Sequence, residues 1–154
     1  MRVSVLVVGR PKQGGLAGAI ADYETRAARY WPLDVQEVRE ESSRSRAADQ
    51  VKSLEADRLL ARATGAARLI ACDPGGESMT SAQFANLLAA SRDNATDLAF
   101  VIGGAHGLGD VLLARAHRRL SLAPWTLPHE LARLVLAEQL YRAGTIVRGE
   151  PYHK

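Results

Sequence analysis

Leu98-Ala99-Phe100-Val101-Ile102-Gly103-Gly104-Ala105-His106-Gly107-Leu108-Gly109 is a run of five apolar residues that enters a glycine-rich turn. A short, continuous apolar run bounded by turn residues is the pattern of a strand buried on both faces. Glycine after such a strand has two readings. It permits a tight turn with positive φ, or it lets a ligand approach the backbone closely. The spacing of Gly103, Gly104, Gly107 and Gly109 is not the G-x-G-x-x-G of a dinucleotide fold, and no Gly-Lys-Ser/Thr follows. Nicotinamide and nucleoside triphosphate chemistry are therefore disfavoured.

The same grammar extends in both directions. Arg2 to Val8 reads as a strand, with Val3, Val5 and Val7 on one face and Leu6 and Val8 on the other. Gly9 to Gly15 is a turn. Leu16, Ile20, Tyr23, Ala27 and Tyr30 recur at helical spacing to about Trp31, where Pro32 stops the helix. Val35 and Val38 sit in a second strand, and polar Glu40 to Arg46 in a loop. Ala47 to Ala63 is helical, Ala67 to Cys72 a strand, and Asp73-Pro74-Gly75-Gly76 a turn. Thr80 and Gln83 have capping-box spacing before Phe84, Leu87 and Leu88. After the glycine-rich turn come a helix over Val111 to Arg119, a short strand over Leu120 to Leu122 and a loop over Ala123 to Pro128. A helix over His129 to Ala143 and a tail from Gly144 complete the chain.

Strands that alternate with helices predict an α/β fold with a largely parallel sheet and helices on both faces, in one domain over residues 1–154. In such sheets a ligand sits beyond the carboxyl ends of the strands. Here those ends are Gly9, Cys72-Asp73, Gly103-Gly104 and Ala123-Pro124.

Composition narrows the classes. One cysteine, Cys72, excludes an internal disulfide and a cysteine-based zinc site, and suits a reducing, cytosolic setting. At the end of an apolar run it reads as a buried structural thiol. No segment reads as a signal peptide, and no apolar run approaches the roughly 18 residues of a membrane span. The net charge is +3, with 17 arginines against 3 lysines. Arginine matches phosphate geometry better than lysine does, though base composition of the genome also biases its use. His106, His117, His129 and His153 show no ligand spacing. His129-Glu130-Leu131-Ala132-Arg133 opens like a zinc-protease helix but has Arg133 where the second histidine belongs. No metal is expected.

The C-terminal third is the most informative. Leu131, Leu134, Val135 and Leu140 are placed to pack inward, which leaves Arg133, Glu138 and Arg142 as polar groups on an apolar helix. Arg115, Arg118 and Arg119, with His117, share one short helix as a solvated or phosphate-contacting face. Arg148-Gly149-Glu150-Pro151-Tyr152-His153-Lys154 ends in an aromatic, an imidazole and a cation, groups that stack on unpaired bases and grip phosphate.

Four pieces in this order and spacing resemble the small SPOUT methyltransferases of 23S ribosomal RNA, the RlmH (YbeA-like) family. They are Val101-Ile102-Gly103-Gly104, Thr126-Leu127-Pro128-His129, Leu136-Ala137-Glu138-Gln139-Leu140-Tyr141-Arg142-Ala143 and the terminal Arg148 to Lys154. The likeness runs from Val5 to Lys154. It implies a trefoil-knotted α/β fold with the knot over about 98–154, a homodimer and S-adenosylmethionine as methyl donor. It also implies methylation of N3 of a pseudouridine in helix 69 of 23S rRNA, on the assembled 70S ribosome. By position, the cofactor pocket would be Cys72, Asp73, Gly103, Gly104, Ala123, Pro124, Trp125, Thr126, Leu127 and Pro128. Pro124-Trp125 stands where relatives vary, and Cys72 often replaces a leucine.

The expected chemistry follows. N3 must lose its proton and align with the sulfonium methyl. His153 is the first candidate for base or base-orienter and Glu138 the second. Arg142 would stabilise the developing anion or hold a phosphate, and Tyr152 would stack on or hydrogen-bond to the target base. A structural ion pair is the plain alternative for Glu138 and Arg142. Two rival readings are a noncatalytic RNA-binding factor with the same fold and a flavodoxin-like module. Gly9-Arg10-Pro11 lacks the hydroxyl-rich phosphate loop that the second requires.

Overall fold

The computed structural model describes residues 1–63, 65 and 67–154. Ten elements alternate: β1 Val3–Val8, α1 Ala17–Ala27, β2 Leu33–Val38, α2 Ala48–Arg62, β3 Arg68–Ser78, α3 Ser81–Asp93, β4 Leu98–Ile102, α4 Asp110–Arg115, β5 Arg118–Ser121 and α5 His129–Arg148. The five strands form one sheet in the order β2-β1-β4-β3-β5. Every pairing is parallel.

The central strands β1 and β4 are apolar apart from Ser4 because both faces are covered. Val3, Val5 and Val7 of β1, with Leu98, Phe100 and Ile102 of β4, pack toward Phe84 and Leu88 of α3 and Leu136, Leu140 and Ala143 of α5. Leu6, Val8, Ala99 and Val101 point the other way, onto Leu59 of α2 and Leu112 of α4. Strand periodicity of two thus divides the core into two layers. The capping box read from Thr80 and Gln83 is present, with Gln83 N donating to Thr80 Oγ1 at 3.2 Å and Thr80 N donating to Gln83 Oε1 at 2.8 Å.

Several boundaries differ from the sequence reading. Asp73 to Gly76 is not a free turn. β3 continues to Ser78, and both Cys72 and Glu77 oppose Leu120, so residues 73–76 form a bulge. Gly76 fits there because a Cβ would lie 2.6 Å from the Arg119 carbonyl carbon. Arg118 and Arg119 are in β5, not on a helix with Arg115. The helix ends at Ala116, whose ψ is 130°. His117 N then donates to Leu69 O, and Leu69 N to His117 Nδ1, so pairing with β3 outcompetes helical propagation. Arg118 and Arg119 face Glu77 and Asp73. The first helix ends at Ala27, before Trp31. Trp31 is buried and donates from Nε1 to Leu140 O at 2.8 Å.

α5 runs five residues beyond the expected end at Ala143. Gly144 does not stop it, and Gly149 provides the left-handed C-cap with φ 69°. Leu140 packs inward as expected, together with Leu136, Ala137 and Ala143. Leu131, Leu134 and Val135 are only half-buried, which leaves an apolar strip on the outer face of α5. Arg133, one of the polar groups on this helix, is buried. Its guanidinium meets Glu24 at 2.7 Å and Glu37 at 2.9 Å, tying α5 to α1 and β2.

Candidate active site

A cavity of about 440 Å³ opens at the carboxyl ends of β3, β4 and β5. Eight of the ten residues expected around a cofactor line it: Cys72, Asp73, Gly103, Gly104, Ala123, Trp125, Thr126 and Leu127. Pro124 and Pro128 do not. Pro124 is exposed in the loop, and Pro128 precedes α5, where its carbonyl accepts from Ala132 N. The sequence reading missed Lys52 of α2 and did not place His106 or His129 here, although all three contribute to the wall.

The glycine-rich turn has the tight geometry that its sequence allowed. A Cβ on Gly103 would lie 2.6 Å from the Gly107 carbonyl carbon and oxygen, so the loop doubles back onto it, and one on Gly104 would lie 2.9 Å from Glu55 Oε1. Gly107 has φ 80° and donates to Gly104 O at 3.0 Å. Gly103, Gly104 and Gly107 also line the cavity. On the opposite wall, Ser121 Oγ donates to Ala123 O at 2.6 Å and fixes the start of the second loop. Asp73 is held by Arg119 at 2.5 Å. Burial pushes the Cys72 thiol up to about 12, so it presents a neutral sulfur rather than a thiolate.

Beneath the glycine turn lies Glu55 of α2, which is 2% exposed. Its Oε2 accepts from Glu41 N at 3.1 Å, while Oε1 has no partner among the described residues. Burial pushes this carboxyl up. The folded state therefore holds the proton more tightly than the unfolded chain. Stability is fully present below the unfolded carboxyl value of about 4.3 and falls as pH rises through the folded one. Glu55→Gln has no such titration. Its melting temperature should match wild type most closely near about pH 4 and exceed it progressively toward about pH 8. A difference that stays constant across that range in thermal melts would contradict this reading.

The four expected catalytic residues form a second cluster. Glu138 Oε1 accepts from Arg142 Nη2 at 2.6 Å, Arg142 Nε at 3.0 Å and Tyr152 Oη at 3.0 Å. Glu138 Oε2 accepts from Gln139 at 2.7 Å. The Arg142 guanidinium lies 4.7 Å from the Tyr152 ring centroid, and Nη1 lies 3.3 Å from His153 Nδ1. Arginine can only donate, so Nδ1 accepts and the neutral ring carries its proton on Nε2. Burial, with the hydrogen bond donated to Glu138, pushes the Tyr152 phenol up. Hydrogen bonding to Glu138 also raises Arg142, which stays a cation. The sequence reading also allows Glu138 and Arg142 a structural ion pair at a dimer interface; within the chain they pair i,i+4 on one helix.

Two tyrosines of the α1 region that sequence reading assigned to helix packing complete the cluster. Tyr152 gives its proton to Glu138, so the Tyr23 hydroxyl, 3.5 Å away, donates to Tyr152. The Tyr30 hydroxyl donates to Glu150. All four tyrosines are linked in space, with Tyr141 ring centroids 4.6 Å from Tyr152, 5.8 Å from Tyr30 and 6.1 Å from Tyr23. The tail is thereby folded back on α1 and α5. Its signal in the sequence was Tyr23 and Tyr30 on one helical stripe.

None of the four cluster residues lines the cavity, whereas His129 and Ala132 of α5 do. Along that helix Glu138 lies six residues beyond Ala132, about 9 Å at 1.5 Å per residue, and Arg142 ten residues, about 15 Å.

Among the described residues there is no group of three His, Cys, Asp or Glu side chains placed to hold a metal ion, and no helix is long and apolar enough to cross a membrane.

The chain matches the family described as predicted SPOUT methyltransferase over residues 1–153. It is 66% identical over 154 residues to the ribosomal RNA large subunit methyltransferase H of Gemmatimonas aurantiaca, covering all of both chains. To the protein of the same name from Anaeromyxobacter sp. (strain Fw109-5) it is 46% identical, again end to end. A probable methylase family protein from Haemophilus influenzae superposes with a TM-score of 0.56 at 14% identity, over 99% of this chain and 70% of that one. A putative methyltransferase from Legionella pneumophila, solved with bound SAM, superposes with a TM-score of 0.51 at 13% identity, over 93% and 66%. The chain belongs to the SPOUT methyltransferase family and, within it, to the family of the ribosomal RNA large subunit methyltransferase H proteins.

Proposed function

We propose that this protein transfers a methyl group from S-adenosylmethionine to N3 of a pseudouridine in helix 69 of 23S rRNA, on the assembled 70S ribosome in the cytosol. In this reading it works as a homodimer, and each site joins the cavity of one subunit to the Glu138–His153 cluster of the other. The observation that carries the reading is that none of the cluster residues lines the cavity, with Arg142 about 15 Å along α5 from the cavity-lining Ala132, although the two groups must meet for catalysis. A two-fold axis brings them together twice, since an isologous dimer repeats each contact. The half-buried strip of Leu131, Leu134 and Val135 supplies apolar surface on the same helix. The trefoil knot over about 98–154 is part of this reading. It is supported by the convergence of the 103–108 and 122–127 loops on one cavity.

The cavity fits the cofactor by its chemistry. Its floor at Gly103 and Gly104 is bare backbone, where no Cβ can stand at Gly103. Such backbone, with Cys72-Asp73 and the main chain of Ala123 to Pro128, would surround the adenosine and its polar edges. When bound, S-adenosylmethionine would supply an electrophilic methyl on a sulfonium: that carbon–sulfur bond breaks as the bond to N3 forms, and the N3 proton passes to solvent water.

The chain's own residues would do the rest. Holding N3 in line with the methyl contributes on the order of 7–11 kcal/mol in favourable cases. The Arg142 cation is positioned by Glu138 to stabilise negative charge that develops on the imide as the proton leaves. His153 presents Nε2–H while Nδ1 is engaged by Arg142, which favours the base-orienter role over the base. Glu138 Oε1 already accepts three hydrogen bonds, which makes it a brace for Arg142 and Tyr152 rather than a free base. Tyr152, braced by Tyr23 and Glu138, offers its ring to the target base.

The test is mass spectrometry of helix 69 from ribosomes of a strain lacking this protein. Treatment with the purified enzyme and S-adenosylmethionine should add one methyl group at N3 of a pseudouridine. An unmodified helix, or a methyl elsewhere in 23S rRNA, would refute the assignment.

A further inference from the structure

The two large apolar side chains left most exposed among the described residues flank one opening. Trp125 is 77% exposed and lines the cavity, and Val111 is 57% exposed between Asp110 and Leu113, which line it too. The other tryptophan shows what this fold does with an indole it uses internally. Trp31 is 2% exposed and its Nε1 is bonded to Leu140 O. Trp125 makes no hydrogen bond and no aromatic contact among the described residues.

Its backbone is constrained all the same. Pro124 precedes it, Pro128 closes the loop, and Ser121 Oγ anchors the Ala123 carbonyl. An indole presented from a restrained loop loses little freedom on binding. Polar side chains surround it: Lys52, His106, Asp110 and His129 line the same cavity, Lys52 lies 3.4 Å from Asp49, and Asp73 is paired with Arg119. An exposed aromatic face without a partner of its own can stack an unpaired base of any sequence.

We propose that the Trp125 indole is a stacking platform for an unpaired base of the RNA substrate, the base beside the methyl acceptor as that acceptor enters the cavity. The inference rests on the proposed RNA methylation and adds a substrate-binding residue to it. The loop's main chain faces the cofactor, and the exposed indole faces the RNA.

The experiment compares full-length wild type, Trp125→Ala, Trp125→Leu and Trp125→Phe in methyl transfer from S-adenosylmethionine to unmethylated 70S ribosomes. Loss of one base stack should raise KM for ribosomes about tenfold in Trp125→Ala, with kcat and the Kd for S-adenosylmethionine within about twofold of wild type. Phe keeps a π face and should restore most of the loss, whereas Leu keeps only apolar area and should not. The proposal is overturned by a wild-type KM in Trp125→Ala or by Leu performing as well as Phe. It is also overturned if weaker S-adenosylmethionine binding accounts for the loss, which would assign the indole to the cofactor. Dissociation of the Trp125→Ala dimer in sedimentation at assay concentration would overturn it in favour of a contact with the second copy. A wild-type enzyme that leaves ribosomes unmethylated fails the underlying reading and takes the platform with it, a result visible before any variant is compared.

Discussion

Two inactive variants, mixed, should recover about a quarter of wild-type methyl transfer. One is His153→Ala, which removes an exposed tail side chain, and the other is Thr126→Arg, which puts a long cation into the cavity from an exposed position. Neither change disturbs a buried group, so both should fold and associate like wild type. His153→Ala should bind S-adenosylmethionine normally and lose on the order of a hundredfold in kcat, the cost of misplacing the groups it orients. Thr126→Arg should lose cofactor binding, because its cation opposes the sulfonium and occupies its space. After unfolding and refolding together, about half of the dimers are mixed. A mixed dimer has one site with an intact cavity and an intact tail, so about one site in four is whole. If each subunit were complete in itself, the mixture would stay as inactive as its parts. Arg142→Ala in place of His153→Ala should give the same recovery. Sedimentation and calorimetry with S-adenosylmethionine check that each variant is dimeric and, for His153→Ala, cofactor-competent.

The fold of the tail was the part least legible in the sequence. The strands were legible because burial on both faces leaves a local mark: Val3 to Val8 is apolar but for Ser4, and Leu98 to Ile102 is apolar without a break. Most of the cavity was legible too, since the strand-end rule needs only the strands, and Cys72-Asp73, Gly103-Gly104 and Ala123 follow from it. Distance along a helix was equally available, but nothing local said that α5 would continue through Gly144. The failures share a cause. Arg118 and Arg119 joined a strand because His117 found Leu69, 48 residues away. Arg133 turned inward because Glu24 and Glu37 wait there, from two other elements. Residues 73–76 bulged because β3 rejoins β5 beyond them. In each case a long-range partner overrode a local preference, and periodicity contains no term for such partners. The tail was readable as unusual in composition but not as folded, because its anchors, Tyr23 and Tyr30, are more than a hundred residues away.

Gly144→Ala should be among the most damaging single-methyl changes in the protein. In most helices this substitution stabilises, since alanine is favoured over glycine by about 1 kcal/mol in a helix interior. Here the added Cβ would stand 2.3 Å from Tyr30 Cγ and 2.5 Å from Tyr30 Cβ, near the root of that side chain. A flexible tip could swing away, but these atoms move only if α1 and α5 separate. Overpacking of this kind typically costs about 1–3 kcal/mol, and a contact this close argues for the upper end even after the propensity gain. At about 2–4 °C per kcal/mol for a chain of this size, the melting temperature should fall by roughly 5–10 °C. The loss should reach function, because the Tyr30 hydroxyl holds Glu150 and its ring packs on Tyr141, which packs on Tyr152. Pushing Tyr30 aside loosens the tail that carries His153 while leaving the cavity, at the other end of α5, intact. Gly144→Ala should therefore lower kcat well below wild type at a temperature where it remains folded, with S-adenosylmethionine affinity unchanged. Tyr30→Ala removes the clashing ring beyond its own Cβ and should make the second change less costly, so the two effects should fall short of additive in a double-mutant cycle. Additive losses, or a Gly144→Ala protein as stable as wild type, would mean that the two helices can part without cost and that the tail is not braced through Tyr30.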